Sequence, residues 1–207
     1  MTSPATGGGP LTKSLDDAAA LLRWLRQLEA REGIIAATGD KLAECLERGG
    51  RILSCGNGGS MCDAMHFAQE LSGYFRGKRR ALAAQAISDV SHLTCAANDE
   101  GFDSVFARGV EAWGKAGDAL LVLSTSGNSR NVIEAVRAAR AAGMTTVGLL
   151  GRDGGQLRSL CDVTITVPGE TSDRIQEVHI KIVHLLIEAI ERRLIPSNYR
   201  SDDMRAS

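Results

Sequence analysis

Aromatic side chains are scarce: Phe, Trp and Tyr together make up only 4% of the 207 residues. Hydrophobic residues reach 43%, so a sizeable core is available, but Leu, Ile, Val and Ala have to build it. Excess charge is also missing, with 24 Lys+Arg against 25 Asp+Glu and a formal net charge of -1. No long-range field recruits nucleic acid or an acidic membrane surface, and neither is expected as a partner. Any anion binding must come from local geometry. The five cysteines, Cys45, Cys55, Cys62, Cys95 and Cys161, form no CxxC pair and are odd in number. They read as buried thiols in a reducing compartment. No run of about 18 apolar residues offers a membrane span. The opening MTSPATGGGPLTKS lacks a cationic start followed by an apolar stretch, which predicts no signal peptide. The expectation is a soluble, cytoplasmic protein.

What is present is a regular alternation. The length suits one α/β domain with appended helices. Helical spacing over 14–48 puts Leu15, Ala18, Leu22 and Leu25 on one stripe, and Gly33 divides the stretch into helices over 15–32 and 35–48. Five short apolar runs then read as strands: RILSC (51–55), AAQAIS (83–88), ALLVLS (119–124), TTVGLL (145–150) and VTITV (163–167). Helical segments over 61–74 and 131–142 have the length a crossover needs, and a long helix over 173–194 closes the chain. Strand, helix, strand in this order predicts a doubly wound, mainly parallel five-stranded sheet flanked by helices. The expected organisation is a flexible leader over 1–13, a single domain over 14–195 and a polar tail over 196–207.

Ligands of such sheets bind where loops leave the carboxyl ends of the strands. The third strand runs into Ser124-Thr125-Ser126-Gly127-Asn128-Ser129 and then a helix, placing four hydroxyls in six residues beside unpaired helix N–H groups. A nest of this kind holds a phosphate dianion without Lys or Arg; the competing reading is a Ser-rich turn with an N-cap. The first strand runs into Cys55-Gly56-Asn57-Gly58-Gly59-Ser60. A dinucleotide fingerprint would need Gly where Met61 stands. Close backbone approach of Gly58 and Gly59 to a polyhydroxylated ligand fits better, with Asn57 and Ser60 as hydrogen-bonding groups.

His66 and Glu70, four apart, share a face of the helix that follows. Gln176, Glu177, His179 and His184 lie on the final helix, and His92, the fourth histidine, lies in the loop after the second strand. A histidine in the apolar HIKIVHLLIEAI segment is ordinarily a core residue. Three of four histidines on two helices nevertheless favour a metal or proton-transfer site. An anion loop, an amide-rich loop and a carboxylate with imidazoles are what aldose–ketose isomerisation needs: a base, an acid, and stabilisation of the enediolate between them.

The stretches SCGNGGSMCDAMHFAQEL (54–71), AISDVSHLTCAANDEGF (86–102), LSTSGNSRNVIEAV (123–136) and DRIQEVHIKIVHLLI (173–187) closely resemble the phosphoheptose isomerases of the SIS (sugar isomerase) superfamily. The resemblance covers about residues 14–194. It implies an SIS-type fold whose N-terminal and C-terminal helices serve oligomerisation. The implied reaction converts sedoheptulose 7-phosphate to D-glycero-D-manno-heptose 7-phosphate, the first step toward the heptose of surface polysaccharide. Carried over by residue, the phosphate loop falls on Ser124, Thr125, Ser126 and Ser129. Sugar contacts fall on Asn57, Gly58, Gly59, Asn98 and Asp99, with Asp173 close by and Gln176 also at the substrate. The zinc ligands fall on His66, Glu70, Gln176 and His184, and the acid–base pair on Glu70 and His184. Two positions depart from the pattern: Met61 stands where some relatives carry His, and Tyr74 where relatives often carry Arg, with Arg76 two residues later.

Helix geometry adds a constraint. Gln176 and His184, eight apart, are separated by about 12 Å of axial rise and about 80° on one straight helix. Either Gln176 precedes the helix proper, or the two come from different subunits, in line with the homotetramers of the family. Two rival readings keep the fold without the reaction. One is a non-catalytic relative that binds the replication initiator and lacks the carboxylate and second histidine; the other is a sugar-phosphate sensing module that needs only the Ser124–Ser129 loop. Glu70 and His184 together favour the isomerase.

Overall fold

A computed structural model describes residues 9–199 of the chain. Two helices come first, α1 (Pro10–Glu32) and α2 (Ile34–Glu47), divided at Gly33. There follow β1 (Ile52–Gly56), α3 (Gly59–Ser72), β2 (Ala84–Ala86), α4 (Val90–Glu100), a 3-10 turn over Phe102–Ser104, α5 (Val105–Trp113) and β3 (Ala119–Ser124). The rest is α6 (Arg130–Ala141), β4 (Thr145–Gly151), α7 (Leu157–Leu160), β5 (Val163–Val167), α8 (Ser172–Leu194) and a 3-10 turn over Pro196–Asn198.

The five strands form one parallel sheet in the order β2-β1-β3-β4-β5. Along β1, β3 and β4 nearly every residue is buried, successive ones on opposite faces, so these inner strands read as continuous apolar runs, while the edge strands β2 and β5 are only partly buried. Leu121 and Leu123 join one core with Phe67 of α3 and Ile182 of α8; Leu120 and Val122 join the other with Phe106 of α5 and Val136 of α6. On α8 the buried residues Ile175, Val178, Ile182, Val183, Leu186 and Ile190 follow the helical period that sequence reading used.

The strands and long helices fall within a few residues of expectation. Helix α5 and the one-turn α7 have no counterpart among the expected segments, and three further details differ. Residues 90–100, taken as a loop around His92, form α4, because the Asp89 side chain accepts from the His92 amide and caps the helix. Helix α1 begins at Pro10, inside the expected leader, because a proline is suited to a first helical turn. Past residue 195, Tyr199 is buried and donates to Glu191 Oε2 at 2.8 Å, so ordered packing runs beyond the expected domain end. Residues 1–8 of the leader and 200–207 of the tail lie outside the described residues. No helix among the described residues is long and apolar enough to cross a membrane.

Candidate active site

The strand order reverses between β1 and β3, so the loops after these two strands flank the crevice where such sheets bind ligands. The loop after β1 turns at Gly58 with φ 55° and ψ -122°, a conformation open to glycine and strained for other residues. Its Asn57 exchanges a reciprocal pair of amide hydrogen bonds with the buried Asn131 of α6, at 2.8 and 2.9 Å. Asn131 thus fixes the two loops relative to each other, 74 residues apart in sequence.

In the loop after β3, Ser124 Oγ accepts from the Gly127 amide at 3.1 Å and lies 3.4 Å from Ser129 Oγ. Ser129 occupies the N-cap position of α6, yet its side chain makes no capping hydrogen bond. Its hydroxyl faces the nest instead, which weakens the simple turn-and-cap reading. Thr125 Oγ1 is 3.1 Å from Ser172 Oγ at the start of α8. Gly127 has φ 64°, and a Cβ there would lie 2.0 Å from the Gly154 carbonyl oxygen, so this loop is held tightly against the loop after β4.

Helices α3 and α8 bring the chemistry-bearing side chains together. His66 Nε2 lies 3.0 Å from His184 Nε2, and 3.4 Å from Glu70 Oε1. The two imidazoles meet edge to face with centroids 5.0 Å apart, and the Phe75 ring lies 5.8 Å from that of His184. Burial first, and the neighbouring His66 second, hold His184 below the ordinary imidazole range. A neutral imidazole beside a carboxylate is fit to take and return a proton.

These loops and helices have counterparts in known proteins. The SIS domain family model matches residues 16–151. The phosphoheptose isomerase of Fusobacterium nucleatum is 52% identical over 179 residues, covering 86% of this chain and 92% of that protein. The chain belongs to the phosphoheptose isomerase family. The phosphoheptose isomerase of Klebsiella pneumoniae is 51% identical over 185 residues, 89% of this chain and 96% of its own. Among solved structures, phosphoheptose isomerase GmhA from Neisseria gonorrhoeae aligns with a TM-score of 0.80 at 39% identity, covering 87% of this chain and 96% of that one. A phosphoheptose isomerase from Francisella tularensis aligns with a TM-score of 0.77 at 36% identity, covering 86% and 98%.

Within this phosphoheptose isomerase fold, the remaining candidates divide. Gln176 lies inside α8, which removes the alternative that it precedes the helix. Its amide lies over Gly59, where an added Cβ would stand 2.7 Å from both Nε2 and Oε1. Two turns further along the paired helices His184 meets His66, so within one chain Gln176 sits at the sugar-side loop and not with the imidazoles. Asp173 is in the first turn of α8, next to Ser172, and the Thr171 hydroxyl and Arg174 amide hold its carboxyl below the usual range. Asn98 donates to Asp99 at 2.7 Å, and Asp99 also receives the Cys95 thiol. Both are exposed, near the corner where Asp103 lies 3.9 Å from Arg130 of α6. Their hydrogen bonds among the described residues are not with either ligand loop.

His179 is a core residue: it is buried, donates from Nε2 to the Leu150 carbonyl at 3.0 Å, and burial pushes its pKa down to about 4. His92 bonds the Val105 carbonyl at 3.0 Å and packs at a tilt against the Trp113 ring, centroids 5.2 Å apart, holding α4 on α5. Arg76, two residues after Tyr74, bonds Glu188 at 2.7 Å and lies over the Phe75 and Tyr199 rings. Sequence reading missed Asn131, Ser172 and Asp63. Asp63 precedes His66 by one turn; burial raises its carboxyl to about 6, and its Oδ2 is buried with no partner. Among the described residues, no three His, Cys, Asp or Glu side chains close on a single point as metal ligands do.

Proposed function

We propose that the chain is an aldose–ketose isomerase converting sedoheptulose 7-phosphate to D-glycero-D-manno-heptose 7-phosphate, the entry to heptose precursors of surface glycan. The observation that carries this reading is the meeting of Glu70, His66 and His184 between α3 and α8, two turns along these helices from the hydroxyl-lined loops at the switch point of a phosphoheptose isomerase fold. Ser124, Thr125, Ser126 and Ser129, with the first amides of α6, hold the phosphate. Asn57, Gly58, Gly59 and Gln176 meet the sugar hydroxyls; Asp173, and Asn98 and Asp99 from the α4 corner, complete the contacts. Glu70 and His184 move the proton. One takes it from C1 of the ketose while O2 gains a proton, giving the enediol; return of a proton to C2 with loss of the O1 proton gives the aldose.

His66, Glu70 and His184 suit zinc by chemistry, two imidazoles and a carboxylate. The 3.0 and 3.4 Å contacts are those of hydrogen-bonding neighbours, and the three side chains would have to turn toward a common point to hold the ion, which none of the described groups shares as it stands. A zinc ion held by these residues would supply Lewis-acid stabilisation of negative charge developing on the substrate oxygens. Gln176 would complete the ligands of such an ion from a neighbouring subunit, in a homotetramer whose sites lie between chains. The exposed Leu11, Leu15 and Leu22 of α1 support assembly, since only Leu25 of that helix is fully buried within the chain. Five free thiols support a reducing, cytoplasmic setting, although Cys62 and Cys95 are exposed and not buried as expected, each lying on the outer face of its helix.

The test is turnover of sedoheptulose 7-phosphate before and after treatment with a chelator, and after zinc is restored. Turnover abolished by chelation and recovered with zinc is expected. Binding of the sugar phosphate without turnover would overturn the isomerase in favour of a sensor, and turnover indifferent to chelation would remove the metal.

A further inference from the structure

The most completely buried ion pair among the described residues lies outside the site. The Arg79 side chain, in the segment between α3 and β2, is 1% exposed and faces Glu191 of α8, which is 0% exposed. Burying such a pair is costly, and an apolar pair of the same volume is often at least as stable. This pair is fully engaged. Arg79 Nε bonds the Glu191 carboxylate, whose other oxygen receives the Tyr199 hydroxyl. Arg79 Nη1 bonds the carbonyls of Leu71, Gly73 and Arg80 at 2.9, 2.9 and 3.0 Å, and Nη2 bonds the carbonyl of Glu70 at 2.6 Å.

The Glu70 and Leu71 carbonyls belong to the last turn of α3, where a helix leaves acceptors unpaired and concentrates partial negative charge. Glu191 follows His184 by seven residues, two turns along the same face of α8. One guanidinium therefore fastens the backbone of Glu70 to the helix that carries His184. The neighbouring Arg76–Glu188 pair spans the same two segments, but Arg76 is 44% exposed and water screens it.

We propose that Arg79 is a positioning residue for the isomerisation, setting Glu70 and His184 in register by holding the Glu70 carbonyl and Glu191 at once. The proposal rests on the isomerase reading above. The planar fork is essential to it, because an ammonium at the same place pairs with Glu191 but does not span the carbonyls. Misplacement of a proton-transferring pair by a fraction of an ångström lowers the rate and leaves ground-state binding to the two loops.

The experiment compares wild type, Arg79→Lys and the apolar double variant Arg79→Met/Glu191→Leu, each checked for folding by near-UV circular dichroism and thermal melting. In the folded variants kcat for sedoheptulose 7-phosphate is expected to fall about 10- to 100-fold with KM within about threefold. The pH dependence of kcat is expected to change shape, which a loss of stability alone does not cause. The double variant, which removes the buried charges together, keeps the test open where the lysine variant does not fold. Folded variants with wild-type kcat and pH profile would overturn the role of Arg79 while leaving the isomerase standing. Wild type without turnover would overturn the isomerase reading itself, and the proposal with it.

Discussion

At the scale of single residues, four histidines of similar appearance in the sequence have two different fates, decided by what lies opposite each ring. His66 and His184 face each other and Glu70; His92 and His179 each bond a backbone carbonyl. His66 and Glu70 were legible because their spacing alone puts them on one face, and His184 was legible only through resemblance. His179 looks no different in sequence, but its ring points into the core. Glu70→Gln keeps the shape and removes the titrating group, so kcat should fall by about 10² to 10⁴ with little change in KM, as steady-state kinetics will report. For His179 the sign of the pH effect follows from its lowered pKa. The unfolded chain takes up the proton first, near 6.5, and the folded chain only near 4. Stability is therefore complete above 6.5 and is lost as pH falls through that window, by up to about 3 kcal/mol at 1.36 kcal/mol per pH unit. Urea unfolding of wild type and His179→Gln at pH 7 and pH 5 should show the smaller acid loss in the variant; equal losses would mean that other groups dominate.

At the scale of elements, the sheet and its ligand loops were legible because both depend on local pattern. Apolar runs of strand length sat between crossover-length helices, and hydroxyls were dense after the third. Helices α4 and α5 escaped notice for physical reasons. Of α4 only Ala96 is buried, so it has almost no apolar stripe, and α5 is nine residues long and interrupted by Gly109. What holds the loops in place was also invisible. Asn131 meets Asn57 across 74 residues, and the loop after β3 is braced by Gly154 of the loop after β4. Gly127→Ala tests that brace. The positive φ alone costs about 1–3 kcal/mol in strain for a non-glycine residue, and the new methyl would meet a carbonyl oxygen rather than a yielding side chain. The loops must part. We expect a lower melting temperature together with KM for the sugar phosphate raised about tenfold, and a KM equal to that of wild type would show that the brace does not shape the phosphate nest.

At the scale of the whole molecule, sequence geometry had placed Gln176 and His184 too far apart on one helix for a single ion. The fold removes one of the two escapes from that conflict by placing Gln176 within α8. It also fixes what any exchange between subunits can involve. His66, Glu70 and His184 meet inside one chain, so mixing Glu70→Ala with His184→Ala subunits should restore nothing, because each chain then spoils its own cluster. Gln176 is different: its amide lies over Gly59, two helical turns from its own chain's imidazoles. Mixing Gln176→Ala with His184→Ala subunits lets an intact His66–Glu70–His184 cluster on the first chain receive Gln176 from the second. With random assembly about one site in four is complete, so activity near a quarter of wild type is expected when the two are denatured and refolded together. The single variants refolded alone provide the baseline. Restoration by the second mixture and not the first would assign Gln176 to the neighbouring subunit's ion; restoration by neither, with mixed oligomers present by native mass spectrometry, would leave Gln176 as a sugar contact in its own chain.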